Sequence, residues 1–150
     1  MPEQAKLAGV PGTYELPGIA DGADARLASE WLDTACRQNN VPSTQADRLV
    51  LCLTEVLANV IRHGGVRTQP ITLQLEIDTG QNLCEASVTV SDGGRAFDPL
   101  SAPKRPRPAS LDEAPTSGMG LEIIRGCSDL LRYRHDGERN HLTFGMRWKQ

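Results

Sequence analysis

No two cysteines of this chain stand close together. Cys36, Cys52, Cys84 and Cys127 are widely separated and form no CxxC pair. That argues against a zinc site built from them, because such sites use short ligand spacings. Each falls in a segment expected to be helix or strand, so buried, reduced thiols are the expectation. Also missing is any apolar run of the roughly 20 residues that a membrane-spanning helix needs. A basic excess is absent too: the formal net charge is −3, which is not the footprint of a nucleic-acid binder. The opening residues, MPEQAKLAGVPGTYELPG, lack the charged start and oily centre of a signal peptide. A cytoplasmic protein with no membrane or direct nucleic-acid partner is therefore expected.

What is present suits one domain with a real core: 150 residues, of which 39% are apolar. Residues 1–12 are expected to be flexible and 13–150 to form the domain. Thr13–Leu16 reads as an edge strand stopped by Pro17. Asp24–Asn39 carries helical apolar spacing through Ala25, Leu27, Ala28, Trp31, Leu32 and Ala35. Pro42-Ser43 marks a turn and a second helix start, and Gly64-Gly65 its stop. Period-two alternation follows in Ile71, Leu73, Leu75 and Ile77, then a second strand over Cys84–Ser91, with a turn at Gly80–Asn82 between them. A short helix is predicted from Leu121 to about Cys127. Two last strands, Leu130–His135 and His141–Trp148, flank a turn at Asp136-Gly137. His135 and His141 are expected at the surface.

The second helix carries the most information. Within LVLCLTEVLANVIRHGG (49–65), Glu55, Asn59 and His63 recur at i, i+4 and i+8 and stack on one stripe. Leu49, Leu53, Val56, Leu57 and Val60 make the rest of that helix apolar. A carboxylate and a carboxamide one turn apart on such a helix suggest a bound cation and a water or hydroxyl to be activated. Two glycine-rich segments complete the pattern. Asp92-Gly93-Gly94 ends a strand and runs on through Ala96 and Phe97 to Asp98, while Gly118-Met119-Gly120 opens a helix. Glycines at a helix N-terminus let N–H groups approach an anion. An asparagine offers a neutral oxygen to Mg²⁺, which takes its other ligands from phosphate and water. A buried aspartate at a strand end accepts a hydrogen bond from an exocyclic amine. Together these suit a nucleoside triphosphate with magnesium. Between the glycine segments, residues 99–117 hold five of the chain's ten prolines and read as a loop inside the domain, of the kind that forms lids.

The set ExxxNxxxHG, DGGxxFDP and SGMGLxII resembles the N, G1 and G2 boxes of the GHKL (Bergerat-fold) ATPases. The short single-domain form resembles the anti-sigma factor serine-protein kinases of bacterial partner-switching systems. The likeness runs from about Asp24 to Trp148. It implies an α+β fold: a two-layer α/β sandwich whose mixed, mostly antiparallel sheet carries helices on one face. It implies ATP and Mg²⁺ as cofactors, with Asn59 as the Mg²⁺ ligand and Glu55 as the general base. Asp92 would read adenine, and Gly94 would let it approach beside Ala96 and Phe97. Ser117, Gly118, Met119, Gly120 and Leu121 would surround the phosphates, residues 99–117 would be the ATP lid, and His63 would stand at the helix end. The implied partners are a STAS-domain anti-anti-sigma protein, phosphorylated on Ser or Thr, and a sigma factor or similar regulator. A homodimer is implied as well.

Two positions depart from the pattern. Ala96 stands where a glycine is common, and Thr116 where some relatives carry an arginine that would stabilise transferring phosphate. Lys104, Arg105 and Arg107 are the cations the lid offers instead. A regulatory module that binds ATP with little or no kinase activity is the alternative.

Overall fold

The computed structural model describes residues 9–63, 69–96, 98, 100 and 119–150. In chain order the elements are strand β1 (Gly9–Leu16), helices α1 (Gly22–Gln38) and α2 (Ser43–His63), strands β2 (Ile71–Thr79) and β3 (Leu83–Asp92), helix α3 (Met119–Cys127), and strands β4 (Leu130–His135) and β5 (Asn140–Lys149). The five strands form one sheet in the order β1-β2-β3-β5-β4. All four pairings are antiparallel, so the described sheet contains no parallel pair.

Alternation along the strands sorts the sheet into two faces. Ile71, Leu73 and Leu75 of β2, Ala86, Val88 and Val90 of β3, and Leu142, Phe144 and Met146 of β5 are buried on one face. They meet Ala28, Leu32, Ala35 and Cys36 of α1 and Ala46, Leu49, Leu53, Val56 and Leu57 of α2 in a single core. The opposite face is polar. There Thr89 and Thr143 share a hydrogen bond of 2.8 Å across β3 and β5. This two-layer arrangement matches the expected α+β sandwich with helices on one side.

Local chemistry explains where the helices begin and end. Asp21 caps α1 by accepting the Asp24 N–H at 3.0 Å, and the Asp24 carboxylate accepts the Asp21 N–H at 3.0 Å, closing a capping box. At the other end Asn40 takes φ 62°, a left-handed position that glycine usually fills and asparagine tolerates. Val41 N–H then reaches back to Cys36 O at 3.0 Å, and Asn40 N–H to Arg37 O at 3.2 Å. Val41 is buried, supplying the apolar contact that often accompanies a left-handed helix end.

Strand β1 starts at Gly9, so residues 9–12, expected to be loose, belong to it. Its register shifts between Gly9 and Gly12, around Pro11. A proline lacks the donor a ladder needs, and an edge strand with an irregularity accommodates it. Tyr14 stacks on Trp31 with ring centroids 5.4 Å apart, fastening β1 to α1. Gly12 lies under the same indole: a methyl there would approach Trp31 to 3.2 Å.

All four cysteines are unpaired, and Cys36, Cys52 and Cys84 are buried, as expected. Burial pushes the Cys36 thiol up to about 11 and the Cys52 thiol to about 12, with Asp33 adding to the first and Cys127 and Glu55 to the second. Among the described residues, no helix is long and apolar enough to cross a membrane.

Asp136 makes most of the side-chain bonds that hold the β4–β5 turn, beside one from Gly137 N–H to His135 Nδ1 at 3.2 Å. Asp136 Oδ1 accepts the N–H groups of Glu138 (3.0 Å) and Arg139 (2.8 Å), and its Oδ2 bonds His141 Nε2 at 2.8 Å. These bonds, the Arg139 N–H first, hold the Asp136 carboxyl well below the usual carboxylate range.

Two stability outcomes follow. Phe144 is fully buried at the centre of the sheet. Phe144→Ala should cost about 3–5 kcal/mol in urea denaturation, with an unchanged fold by circular dichroism. Asp136 has a depressed folded pKa, so its stabilisation is present above the unfolded value of about 4 and fades as pH falls toward the folded one. Asp136→Asn should therefore be less stable at pH 7, and the gap to wild type should narrow below about pH 4. Parallel stability curves across that range would contradict this.

Candidate functional site

At its C-terminal end, β3 places Asp92 in phase with Val88 and Val90, on the helix-covered side of the sheet. Asp92 as a whole is only 5% exposed. Its Oδ1 accepts Gly94 N–H at 2.8 Å, folding the chain tightly after the strand. The same Oδ1 accepts from Asn140 Nδ2 at 3.3 Å. No described residue donates to Oδ2. A buried carboxylate oxygen without a donor is costly, and it is an acceptor available to a ligand.

Asn140 sits opposite Asp92 in the β3–β5 register and is 6% exposed. Beyond the carboxylate, its Nδ2 reaches Gly94 O (3.4 Å) and Arg95 O (3.0 Å), and Tyr133 OH bonds its Oδ1. The neighbouring Arg139 braces the other side of the strand end. Its guanidinium donates to Gln69 Oε1 (2.7 Å), Pro70 O (3.0 Å) and Ser91 O (2.9 Å). Gly93 is pressed under this brace, since a methyl there would approach Gln69 Oε1 to 3.2 Å.

Helix α2 packs on β3, β5 and α3, on the same side of the sheet as Asp92. Its half-buried Glu55 has no hydrogen-bond partner among the described residues. Asn59 is also half-buried, and its Oδ1 accepts only a long bond, 3.5 Å, from Arg62 Nη1. The two amino acids one turn apart thus keep their oxygens weakly engaged. Among the described residues, no hydrogen bond joins this stripe to Asp92. His63 is the last residue of α2.

Gly94 is buried and Ala96 exposed. Asp98 Oδ1 accepts Leu100 N–H at 2.8 Å, and Arg125 of α3 donates to Leu100 O at 3.2 Å, tying the start of this loop to α3. Phe97, Ser117, Gly118 and Thr116, with the lid apart from Leu100, lie outside the described residues. Met119 and Gly120 form the first residues of α3, followed by half-buried Leu121 and buried Ile124.

Sequence reasoning missed Asn140 and Arg139. The last strand was expected to begin at His141, one residue late, and only the cross-strand register shows that residue 140 faces Asp92. His141 itself corrects an expectation. It is not a free surface residue: its side chain is 15% exposed, with Nδ1 bonded to Ser91 Oγ at 2.7 Å and Nε2 to Asp136. His135 is exposed, as expected.

Comparison with known proteins gives the family and the fold. The profile of the "Histidine kinase-like ATPase domain" family matches residues 19–146. The chain is 31% identical over 131 residues to the "Serine/threonine-protein kinase BtrW" of Bordetella bronchiseptica, covering 87% of this chain and 89% of that one. A crystal structure of RsbU and RsbW domains from Mycobacterium tuberculosis superposes with a TM-score of 0.60 over 93% of this chain. At 16% identity, and with this chain spanning 33% of that one, the likeness is one of fold.

Proposed function

Because the chain belongs to the histidine kinase-like ATPase domain family, we propose that it is an ATP- and Mg²⁺-dependent protein serine/threonine kinase of a partner-switching system. Its acceptor is a STAS-domain anti-anti-sigma protein, and its other partner a sigma factor or similar regulator. Such a role puts it in the cytoplasm, acting as a homodimer.

The observation that carries the reading is the half-satisfied Asp92. Its Oδ1 is occupied by Gly94 N–H and Asn140, and Oδ2 has no described donor. An acceptor presented this way takes the exocyclic amine of adenine and disfavours a base with a carbonyl at that position. Gly94 keeps the approach to the ring clear, beside Ala96 and Phe97. The donor set on α2 fits the other end of the nucleotide. Asn59 offers its amide oxygen to Mg²⁺, giving up only the long bond from Arg62. Hard cations of this kind draw most of their ligands from phosphate and water. Accordingly, no cluster of three His, Cys, Asp or Glu among the described residues is needed, and none is found.

Bound Mg–ATP supplies the phosphoryl group and neutralises much of its charge. The chain's residues position the partners. Glu55, free of protein hydrogen bonds among the described residues, takes the proton from the acceptor Ser or Thr hydroxyl. Met119, Gly120 and Leu121 at the start of α3, with Ser117 and Gly118 that precede them in sequence, would hold the phosphates with backbone N–H groups. Residues 99–117 would close over them as the lid of the 13–150 domain, and His63 would stand at the phosphate side of α2. Phosphorylation of the acceptor puts charge into its interface and releases it. The relative named a serine/threonine-protein kinase supports transfer to protein over simple ATP hydrolysis.

The test combines binding and transfer. Wild type with radiolabelled ATP, Mg²⁺ and a STAS-domain protein from the same organism should label that protein. Asn59→Ala should abolish Mg²⁺-dependent ATP binding. Glu55→Gln should keep binding and lose about 10²–10⁴ in transfer rate. Tight ATP binding with no labelled acceptor would favour the regulatory module, and no ATP binding by wild type would end the proposal.

A further inference from the structure

We propose that Asn140, oriented by Tyr133, is the positioning residue that gives the nucleotide site its selectivity for adenine. The inference rests on the reading of Asp92 as the base-recognising carboxylate, and adds what makes that carboxylate selective.

The argument starts from the amide's two edges. Asn140 Nδ2 faces Asp92 Oδ1, Gly94 O and Arg95 O, all of them acceptors. Only an NH₂ edge satisfies them, so the amide orientation follows from the network. Two N–H bonds serve three acceptors, so at least one is shared. The opposite edge is then a carbonyl, and the Tyr133 hydroxyl bonded to it must be the donor. Tyr133 lies in β4 and Asn140 in β5, facing each other across the hairpin two register positions apart. The relay Tyr133–Asn140–Asp92 therefore crosses three strands.

Its effect falls on the carboxylate. An aspartate side chain rotates about its last torsion over a broad range, so burial alone does not decide which oxygen faces a ligand. Two donors on Oδ1, from Gly94 and Asn140, fix the plane of the group and leave Oδ2 as the acceptor. The same Nδ2 ties the carbonyls of Gly94 and Arg95, so the loop beside the base is held by the group that orients the carboxylate. Without Asn140, Oδ1 keeps one donor, the carboxylate turns, and water can reach it. An acceptor that can turn and hydrate distinguishes poorly between a purine with an exocyclic amine and one without.

The experiment compares two probes, ATP and purine riboside triphosphate, which lacks only that amine. Dissociation constants are measured by calorimetry with Mg²⁺ for wild type, Asn140→Ala and Tyr133→Phe, and thermal unfolding reports folding. Wild type should prefer ATP by about 10–100-fold, the value of one hydrogen bond to a charged acceptor. Asn140→Ala should bring the preference to within about threefold of unity, and Tyr133→Phe should lower it about two- to fivefold. Affinity for purine riboside triphosphate should stay within about twofold in both. A merely structural role would weaken both probes alike and leave the ratio unchanged, which would overturn the inference. If Asn140→Ala fails to fold, Tyr133→Phe decides alone: an unchanged ratio in that variant overturns it. Failure of wild type to bind either probe would overturn the nucleotide reading itself. Equal wild-type affinity for both would overturn the role of Asp92, and this inference with it.

Discussion

The pairing of β3 with β5 is the constraint on which the rest of the molecule depends. It runs unbroken from Leu83 opposite Lys149 to Asp92 opposite Asn140. Side chains alternate with a period of two, so this one register decides two things at once. It aligns Ala86, Val88 and Val90 with Met146, Phe144 and Leu142 under the helices, and it brings Asp92 to Asn140 on that same face. A slip of one residue would expose the core and separate the polar pair. Apolar burial of the strand centres therefore enforces the polar geometry at their ends. The site inherits its precision from the core.

The two faces of the strand end carry different networks built on adjacent residues. On the helix side, Asp92 and Asn140 meet beside the loop of Gly94 and Arg95. On the open side, Ser91 and His141 meet, and His141 passes on to Asp136 in the hairpin turn. Arg139 stitches the turn to Ser91 O and Pro70 O. The open-side network immobilises the β4–β5 hairpin, and the hairpin carries both Tyr133 and Asn140. Rigid placement of a recognition group generally needs such outer support, since a side chain positions a ligand only as well as it is itself held.

Much of this was legible in the sequence, for identifiable reasons. The strands showed because one face is buried and the other polar, which writes period two into Ile71–Ile77 and Cys84–Ser91. Helix α2 showed because its apolar spacing is regular while Glu55, Asn59 and His63 recur one turn apart on a single polar stripe. The end of α1 was visible in Pro42-Ser43, although the left-handed Asn40 that turns the chain was not, because asparagine only sometimes takes that role. What stayed hidden depends on register. Asn140 reads in sequence as one more polar residue after a turn, and His141 as a surface histidine. Each acquires its role from a residue about fifty positions away. Strand β1 began four residues earlier than read, because a proline inside a strand signals a break unless the strand is known to lie at an edge.

If Asp92 binds a ligand as proposed, it also shows how a binding site can stand in conflict with stability. Leaving one buried polar atom unsatisfied costs about 1–3 kcal/mol, and more for a charged group. A fold selected only for stability would fill Oδ2 with a donor or replace the residue by an apolar one. Here one oxygen is satisfied twice, through Gly94 and Asn140, and no described residue donates to the other, which the proposed function gives to a ligand. The double engagement of Oδ1 offsets part of the burial cost and settles which oxygen is left over. The remaining cost is borne by the β3–β5 ladder and the packed core around Phe144, which together hold the carboxylate in place. The oxygen without a donor among the described residues lies at the end of the longest ladder in the sheet: a strongly paired segment is what keeps a buried acceptor fixed in place, as the proposed function requires.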